Sequence, residues 1–481
     1  MFEPMIIKKT TFLLSLRFCV GGLGMLAVSC SPSSVNDPQR PVVVLVTMDT
    51  TRADYLGCYG SEVPEISPRL DALAAEGALF RHSISQAAVT PVSHASILTG
   101  LYPYNHGLRV MHGTTQNRLK DEQVTLSEIL GEEGYDTGAF VSAFPVTTYF
   151  GFAQGFDHFD AEFTPTGSEG EQILNGMVNT GSVQRHAGET TARALEWMDS
   201  RKRPFFIWLH YFDPHDEHVV PPSGVPDEVK RIADDRDRRR ALYRHEITYM
   251  DGQLGLVFDK LKTMGLWDNS VIVVTSDHGE GLGDHDWWTH GILYQEQVRV
   301  PLVVRGPGLA PGQIIEPVVR SIDIVPTIAE LVGLGAGDLP NMDGKSLVPL
   351  MDGRSEDLGL VAYTDSVNTL VYRVSPDISD NKNDLFFALV IDNQWKYIHH
   401  LKHPYKNELY DLVADPAELN NLSTERVDIM ERARKQLQAI EFMPMEQLEI
   451  GGMPAKVKAQ LEALGYLGEV KAKPEDDSKD D

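Results

Sequence analysis

Residues 41–49 read PVVVLVTMD, and this run of apolar, mostly β-branched residues points to the fold. A continuous run of this kind is typical of a strand that is buried on both faces, as the strands of parallel sheets are. Two more such runs are RPFFIWLHYFD (residues 203–213) and SVIVVTSD (residues 270–277). Amphipathic helical patterns lie between the strands, for example PRLDALAAEG (residues 68–77) and TLSEILGEEG, which begins with Thr125 as the expected N-cap. Strands that alternate with helices predict an α/β fold with a doubly wound, largely parallel sheet flanked by helices.

The character of the sequence changes after about residue 350. FFALVIDNQWKYIHH (residues 386–400) predicts two short strands joined by a polar turn, which indicates a small antiparallel α+β unit packed on the main domain. KAKPEDDSKDD at the C-terminus predicts a charged, disordered tail. The predicted organisation is a signal peptide of the lipoprotein type over residues 1–29, a linker over 30–40, the main domain over 41–350, a C-terminal α+β antiparallel subdomain over 351–445 and a helical or disordered tail over 446–481.

The first thirty residues are built like an export signal. Lys8, Lys9 and Arg17 precede an apolar run of about a dozen residues, which is too short to cross a bilayer. The run ends in LAVSC, which resembles a bacterial lipobox with Cys30 as the lipidated residue, although the preferred Leu lies one place further from the Cys than usual. We therefore expect an exported bacterial lipoprotein of the periplasm or outer membrane, held to the membrane by its lipid. Simple secretion is the first alternative and a retained N-terminal anchor is the second. Only Cys58 then remains, and one cysteine cannot form an internal disulfide bond.

Composition narrows the classes of function. With 481 residues, of which 42% are hydrophobic, the chain can bury a large core. Its formal net charge of −26 argues against a nucleic-acid partner or binding to an anionic membrane surface, because either would need basic patches. An anionic substrate would have to be attracted by a local cation.

Acidic and imidazole side chains follow two of the predicted strands. Asp49 stands directly after the first strand, and Asp277 and His278 stand at the end of the SVIVVT strand. Because ligands of such sheets bind beyond the carboxyl ends of the strands, we expect these side chains to converge there. Two carboxylates with an imidazole suit a divalent cation. The alternative is that each Asp only caps a helix or a turn.

Residues 89–100 read VTPVSHASILTG and predict a turn that leads into a helix. Thr90 would lie near the N-terminus of this helix, where free amide groups and the helix dipole favour an anionic ligand or an alkoxide. The alternative is that Thr90 and Ser93 only cap the helix.

Six segments together carry a resemblance to a known family. They are MDTTRADYLGCYG, the Thr90 stretch with LTGLYPYNHG, GFAQGFDHFD, TSDHGEGLGDH, VRVPLVVRGPG and NELYDLVADPAELNNL. In this order and spacing they resemble the sulfatase family of the alkaline phosphatase superfamily, over residues 41 to 425 or so. The resemblance implies that the main domain is a metal-dependent hydrolase of phosphate or sulfate esters, with a small-molecule, glycan or lipid ester as substrate.

The resemblance also implies roles for individual residues. Asp49, Asp277 and His278 match metal ligands, and Thr90 matches the nucleophile, which also binds the metal. One site for a divalent ion, Mn, Zn or Ca, is implied. His278 stands where sulfatases commonly have Asn, which favours Mn or Zn because imidazole suits the softer ions.

Further histidines match other positions of the implied site. His215, in HYFDPHDEH after the RPFFIWLHYFD strand, matches a substrate-binding histidine. It is our first candidate for the acid that protonates the leaving group, and His290 is the second. The resemblance places Ser93 and His94 at substrate-binding positions. Relatives that act on phosphate often hold a second metal, and the residues of the right kinds for it are Asp213, His218 and His290.

The departures from the family pattern bear on the chemistry. Thr50 stands where sulfatases usually have a second Asp, His94 replaces the signature arginine and His290 replaces a lysine. FVSAFP replaces a Gly-Lys-Trp-His segment. Thr90 stands where sulfatases have the Cys or Ser that is oxidised to formylglycine. The formylglycine hydrate expels sulfate by breaking its own carbon–oxygen bond, and a sulfated threonine has no second hydroxyl with which to do this.

These departures favour phosphorus chemistry. A phosphothreonine can be cleared by attack of water at phosphorus, so we expect hydrolysis of phosphate esters, with phosphodiesters preferred. The first alternative is an arylsulfatase-like enzyme that cleaves sulfate esters without formylglycine. A phosphoethanolamine transferase also uses Thr, but such relatives carry several membrane spans. A non-catalytic binding protein is the last alternative, and the intact set of Asp49, Thr90, Asp277 and His278 argues against it.

Overall fold

The structure, a computed structural model, describes residues 40–63, 65–109, 118–163, 172–174, 177–179, 184–201, 204–215, 221–366, 386–401, 403–440 and 460. The predicted signal peptide, Cys30, His218 and all but one residue of the predicted tail lie outside these residues. Within the described ranges, no helix combines the length and the apolar character that crossing a membrane requires.

The secondary structure alternates between strands and helices in the first two thirds of the chain. The strands are β1 (Val42–Met48), β2 (Ala78–Phe80), β3 (Ser83–Ile84), β4 (Asp136–Val141), β5 (His158–Asp160), β6 (Gln172–Leu174), β7 (Met177–Asn179), β8 (Phe205–Tyr211), β9 (Ser270–Thr275), β10 (Arg299–Val300), β11 (Leu302–Arg305), β12 (Gln313–Ile315), β13 (Val319–Arg320), β14 (Ala362–Ser366), β15 (Phe386–Ile391), β16 (Trp395–His400) and β17 (Glu408–Asp411). The helices are α1 (Pro68–Glu76), α2 (Thr90–Thr99), α3 (Pro103–His106), α4 (Leu126–Glu132), α5 (Ala187–Asp199), α6 (Asp227–Lys230), α7 (Asp235–Thr263), α8 (Gln295–Val298), α9 (Ile324–Leu331), α10 (Val348–Met351) and α11 (Val427–Gln438).

The largest sheet has eight strands in the order β12-β2-β11-β9-β1-β8-β4-β5. Its centre is parallel, because β1 pairs in parallel with β8 and β9, and β4 pairs in parallel with β8 and β5. β11 runs antiparallel to both β9 and β2. The predicted α/β fold with a large, mostly parallel sheet flanked by helices is therefore confirmed, and the antiparallel β11 is an addition to it.

The central strand β1 shows why the sheet needs helices on both faces. Every residue of β1 is buried. Val43 and Leu45 join a hydrophobic core with residues of α2, α4 and α9, whereas Val42, Val44 and Val46 join a second core with residues of α1, α5 and α7. Successive side chains of a strand point to opposite faces, so a run of apolar residues stabilises the sheet only when both faces are covered.

Two local predictions are confirmed by hydrogen bonds and backbone angles. Thr125 is the N-cap of α4 and forms a capping box with Glu128, in which each side chain accepts a hydrogen bond from the other residue's backbone N–H. The polar turn between β15 and β16 has Asp392 and Asn393 at φ 55°, the left-handed conformation that tight hairpin turns require.

The C-terminal part of the chain builds a separate sheet, as predicted. β14, β15, β16 and β17 form an antiparallel sheet in that order. One of its faces packs against Ile429, Ala433 and Leu437 of α11. Two smaller sheets have the orders β10-β3-β13 and β6-β7.

An aspartate of α7 caps α1 from across the fold. The Asp251 carboxylate accepts hydrogen bonds from the backbone N–H groups of Arg69 and Leu70, both at 2.9 Å. Ser67, the N-cap residue of α1, makes no side-chain cap hydrogen bond. The first-turn amides of α1 therefore depend on Asp251, which takes over the role of the N-cap.

Replacing Asp251 by Ala should lower the free energy of unfolding by about 1–2 kcal/mol, because two helix amides lose a buried acceptor. Urea unfolding followed by circular dichroism measures the change. Asp259→Ala, at an exposed position of the same helix, is the matched control and should change the free energy by less than about 0.5 kcal/mol. Equal destabilisation by the two variants would contradict the capping role.

Candidate active site

The two aspartates predicted at the strand ends lie side by side. Asp49 follows β1, and Asp277 follows β9 after Ser276, and these two strands are neighbours in the sheet. Asp277 Oδ1 accepts hydrogen bonds from Thr50 N at 3.1 Å and from His278 N at 2.8 Å. Thr50 has φ 52°, a left-handed conformation that is costly for a β-branched residue. The backbone is therefore strained at Thr50, directly after Asp49. This conformation points the Thr50 N–H at the Asp277 carboxylate.

Both carboxylates are fully buried, and two neighbouring negative charges are unfavourable in the protein interior. Burial raises the pKa of Asp49 well above its usual value, and the charge of Asp277 raises it further. Burial also raises the pKa of Asp277. In the part of the chain that the structure describes, Asp49 Oδ1 and Asp277 Oδ2 are buried without a hydrogen-bond partner. A cation bound between the two carboxylates would supply the charge that they lack.

His278 completes a set of donors that fits a divalent cation. Its Nδ1 lies 2.9 Å from Gly279 O, so we assign the proton to Nδ1 and a lone pair to Nε2. Burial lowers the pKa of His278 to about 3, so the ring is neutral. Nε2 lies 3.2 Å from Asp277 Oδ2, and two lone pairs at that distance repel each other unless a cation lies between them. Asp49, Asp277 and His278 each offer a ligand atom within 4.8 Å of the others.

Thr90 lies at this cluster. It is the first residue of α2 and is fully buried. Its Oγ1 lies 3.3 Å from His278 Nε2, and its hydroxyl offsets part of the rise in the pKa of Asp49. The N-terminus of α2 therefore points at the carboxylate cluster, where its dipole favours negative charge.

Asp49, His94 and His210 form a second group of possible metal ligands. The hydrogen bonds of His210 exclude it as a ligand. His210 Nδ1 accepts from Ser142 N at 3.2 Å, so the proton must be on Nε2. Nε2 donates that proton to Asp49 Oδ2 at 3.1 Å. His210 therefore orients Asp49 and has no lone pair left for a metal. The sequence reasoning missed His210, and the only signal was a histidine inside the otherwise apolar run of β8.

Ser93 and His94, the predicted substrate-binding residues, make hydrogen bonds within the protein, and their contact with substrate stays a prediction. His94 Nδ1 lies 2.8 Å from Thr90 O and donates to it, and its Nε2 lies 3.0 Å from Thr47 Oγ1. Ser93 Oγ donates to Asp277 O at 2.6 Å. Like Thr90, both residues are buried members of α2. The structure gives them the role of holding Thr90 and Asp277 in place.

His215 and His290, the two candidate acids, meet beside the cluster. Their Nε2 atoms are 3.2 Å apart, and the ring of His290 lies 4.4 Å from the ring of His278. His290 Nδ1 lies 2.9 Å from Ala88 O, so we assign its proton to Nδ1. Burial lowers the pKa of His290 well below its usual value. His290 Nε2 is then an acceptor, and His215 donates its Nε2 proton to it.

Two of the three residues predicted for a second metal, Asp213 and His290, lie within the described ranges. Asp213 accepts from Ala187 N through both oxygens, at 3.2 Å and 3.0 Å, and lies 3.8 Å from His186. Its carboxylate thus serves the N-terminus of α5. His218 lies outside the described residues. The second site therefore stays a prediction.

The comparisons with known proteins agree with this architecture. Residues 41–334 match the sulfatase family model, and residues 283–442 match the model of the C-terminal region of N-sulphoglucosamine sulphohydrolase. The chain belongs to the sulfatase family, within the alkaline phosphatase superfamily, and it is a hydrolase of sulfuric or phosphoric esters.

Three relatives show the range of that family. The multifunctional alkaline phosphatase superfamily protein PehA of Trinickia caryophylli is 28% identical, over 80% of this chain and 91% of its own. Choline-sulfatase of Rhizobium meliloti (strain 1021) is 27% identical, over 74% of this chain and 77% of its own. The crystal structure of the phosphonate monoester hydrolase of Agrobacterium radiobacter superposes with a TM-score of 0.63 at 23% identity, over 83% of this chain and 95% of its own. The similarity of this structure to the present chain establishes the fold.

Replacing Asp49, Asp277 or His278 by Ala should each remove bound metal, because a site with so few ligands loses most of its affinity with any one of them. The test is elemental analysis of protein that has been loaded with manganese or zinc and then dialysed. Asp286→Asn, at an exposed position of the same loop, is the control and should keep its metal. Full metal content in all three variants would refute the assignment.

A measurement of metal affinity distinguishes the metal ligands from His210. Without the proton donor to Asp49, His210→Phe should weaken metal binding by about 10–100-fold, measured by competition with a fluorescent chelator. His210→Gln, whose amide can donate in place of Nε2, should recover most of that affinity. If the Phe and Gln variants bind the metal equally well, the hydrogen bond from His210 to Asp49 does not contribute to metal binding.

Proposed function

We propose that this chain hydrolyses phosphate esters, with phosphodiesters preferred, through Thr90 as the nucleophile. The observation that carries the proposal is the position of Thr90 Oγ1, 3.3 Å from His278 Nε2 at the buried carboxylate cluster. A threonine cannot become formylglycine. Its hydroxyl can form a phosphate ester, which water can then open by attack at phosphorus.

Asp49, Asp277, His278 and the Thr90 hydroxyl would hold the metal. Two carboxylates and one imidazole favour manganese or zinc over calcium, because imidazole suits the softer ions. A divalent cation held there supplies positive charge that lowers the pKa of the nucleophile and offsets charge on the ester. The unpaired Asp49 Oδ1 supports this fit, since a buried carboxylate oxygen without a partner is otherwise expensive.

The preference for a diester rests on the charge of the pocket. His94 and His290 stand where sulfatases have fixed cations, and burial lowers the pKa of both, so they are neutral at neutral pH. A site with fewer permanent positive charges suits a monoanionic ester better than a dianionic one. The phosphonate monoesters in the name of the Agrobacterium relative also carry a single negative charge.

The Thr90 hydroxyl loses its proton to solvent, and a side chain of this chain supplies the proton that the leaving group needs. Thr90 attacks phosphorus from the N-terminus of α2, where the helix dipole stabilises the charge that develops on the oxygens. His215, in its cationic form with a proton on each ring nitrogen, gives its Nε2 proton to the leaving oxygen and becomes neutral, and its hydrogen bond with His290 Nε2 orients it until then. Water then attacks phosphorus and gives a proton to the neutral His215, and the Thr90 oxygen leaves as its bond to phosphorus breaks.

Hydrolysis of sulfate esters is the second candidate, because the family model and the choline-sulfatase relative both favour it. A sulfated Thr90 would have to be opened by water at sulfur. The two candidates therefore differ in which ester turns over, and a substrate panel separates them.

The panel consists of bis(4-nitrophenyl) phosphate, 4-nitrophenyl phosphate, 4-nitrophenyl phenylphosphonate and 4-nitrophenyl sulfate, each with manganese, zinc or calcium. We expect the diester to exceed the sulfate in kcat/KM by at least about a hundredfold. Thr90→Ala should abolish both activities, and Thr90→Ser should keep the phosphodiesterase because the hydroxyl remains. A wild-type protein that cleaves the sulfate fastest, or an active Thr90→Ala, would overturn the proposal.

We also propose that the protein is exported and lipid-anchored through Cys30, on the strength of the apolar run and the LAVSC sequence before it. The expected mature N-terminus is a lipidated Cys30. Intact mass spectrometry of protein extracted from bacterial membranes tests this, with Cys30→Ala as the control, which should leave the chain unlipidated. A mature protein that still begins at Met1 would rule out the processing.

A further inference from the structure

The N-terminus of α7 lies at the same edge of the sheet as the candidate active site. β8 and β9 both pair in parallel with β1, and α7 lies between them in sequence. The chain must therefore leave β8 at the carboxyl edge and return to the amino edge before β9 begins. Asp49 and Asp277 follow their strands at that carboxyl edge.

Three arginines of α7 surround one tryptophan of the loop that carries His290. The guanidinium carbons of Arg236, Arg239 and Arg240 each lie 5.6 Å from the ring centre of Trp288. The spacing i, i+3, i+4 places the three on one helix face. Trp288 is partly exposed and precedes His290 by two residues.

Further contacts fix this cluster against the metal-binding loop. Arg240 Nε donates to Leu282 O at 2.9 Å. A Cβ on Gly283, which has φ 92°, would lie 2.7 Å from the Trp288 ring, so the glycine leaves the room that the indole occupies.

The cluster places three positive charges around one indole ring. The three guanidinium groups repel one another, and Asp234, Asp235 and Asp237 at the start of α7 offset part of their charge. Asp237 lies 3.9 Å from Arg240, at the limit of an ion pair, and Arg236 makes no ion pair with any described residue. In a chain with a formal net charge of −26, an anionic ligand needs a local cation, and the guanidinium groups around Trp288 can supply one.

We propose that Arg236, Arg239, Arg240 and Trp288 form a subsite for a second anionic group of the substrate, a sulfate, carboxylate or phosphate outside the ester that is cleaved. The proposal rests on the proposed function and narrows its substrate class to esters of polyanionic molecules. Guanidinium groups can bind such a group through paired hydrogen bonds, and the indole face keeps them in position.

The test is isothermal titration calorimetry of the full chain with four probes. A heparin-derived tetrasaccharide offers sulfate and carboxylate, tetragalacturonate offers carboxylate, and a glycerol phosphate tetramer offers phosphate, while maltotetraose is neutral. At least one anionic probe should bind and maltotetraose should not. The anionic probe should also inhibit cleavage of bis(4-nitrophenyl) phosphate competitively. The double variant Arg236→Gln, Arg239→Gln should weaken its binding by about tenfold for each arginine.

Arg238→Gln is the matched control, because it removes one charge from the same helix turn but pairs with Asp235 and does not contact Trp288. It should change the dissociation constant by less than about twofold. Equal weakening by Arg238→Gln and by either single variant at Arg236 or Arg239 would show a diffuse charge effect and overturn the subsite. Failure of every anionic probe to bind, or binding without competition, would overturn it too. If no phosphorus ester is cleaved while the calorimetric pattern holds, the proposed function fails and the anion subsite stands.

Discussion

The rest of the site depends on two carboxylates that are buried next to each other. Asp49 and Asp277 come to the same place because β1 and β9 are neighbouring parallel strands. Neither charge is tolerable there without compensation, which is why burial raises the pKa of both. Two neighbours hold the carboxylates in place: the backbone N–H of Thr50, which has a left-handed conformation, donates to Asp277, and His210 donates to Asp49.

Three histidines of the site are oriented by the same kind of hydrogen bond. In His278, His290 and His94, Nδ1 donates to a backbone carbonyl, of Gly279, Ala88 and Thr90 respectively. A carbonyl acceptor fixes the tautomer and the ring orientation, and burial keeps each ring neutral. The neighbouring rings therefore differ in what their Nε2 lone pairs face: the carboxylate cluster for His278, the acid candidate His215 for His290, and the hydroxyl of Thr47 for His94.

The C-terminal sheet closes around the segments that carry the site. Thr364 of β14 donates its hydroxyl to Ser85 O, Asp365 N donates to Gln86 O, and Ser366 donates its hydroxyl to Gly291 O. These contacts fix the chain shortly before Thr90 and directly after His290. A change in the small sheet would thus affect the position of Thr90, even though no residue of β14 belongs to the carboxylate cluster.

The sequence alone determined the strands, the mostly parallel sheet and the convergence of Asp49, Asp277 and His278. Long apolar runs leave a strand few alternatives, and the carboxyl ends of parallel strands meet at one edge. Only the tertiary structure determined which side chains contact one another at that edge. A histidine inside an apolar strand, such as His210, has no sequence mark that separates packing from orienting a carboxylate 161 residues away. The placement of Ser93 and His94 in the interior was equally invisible, because it follows from the burial of the whole of α2 between the sheet and its neighbouring helices.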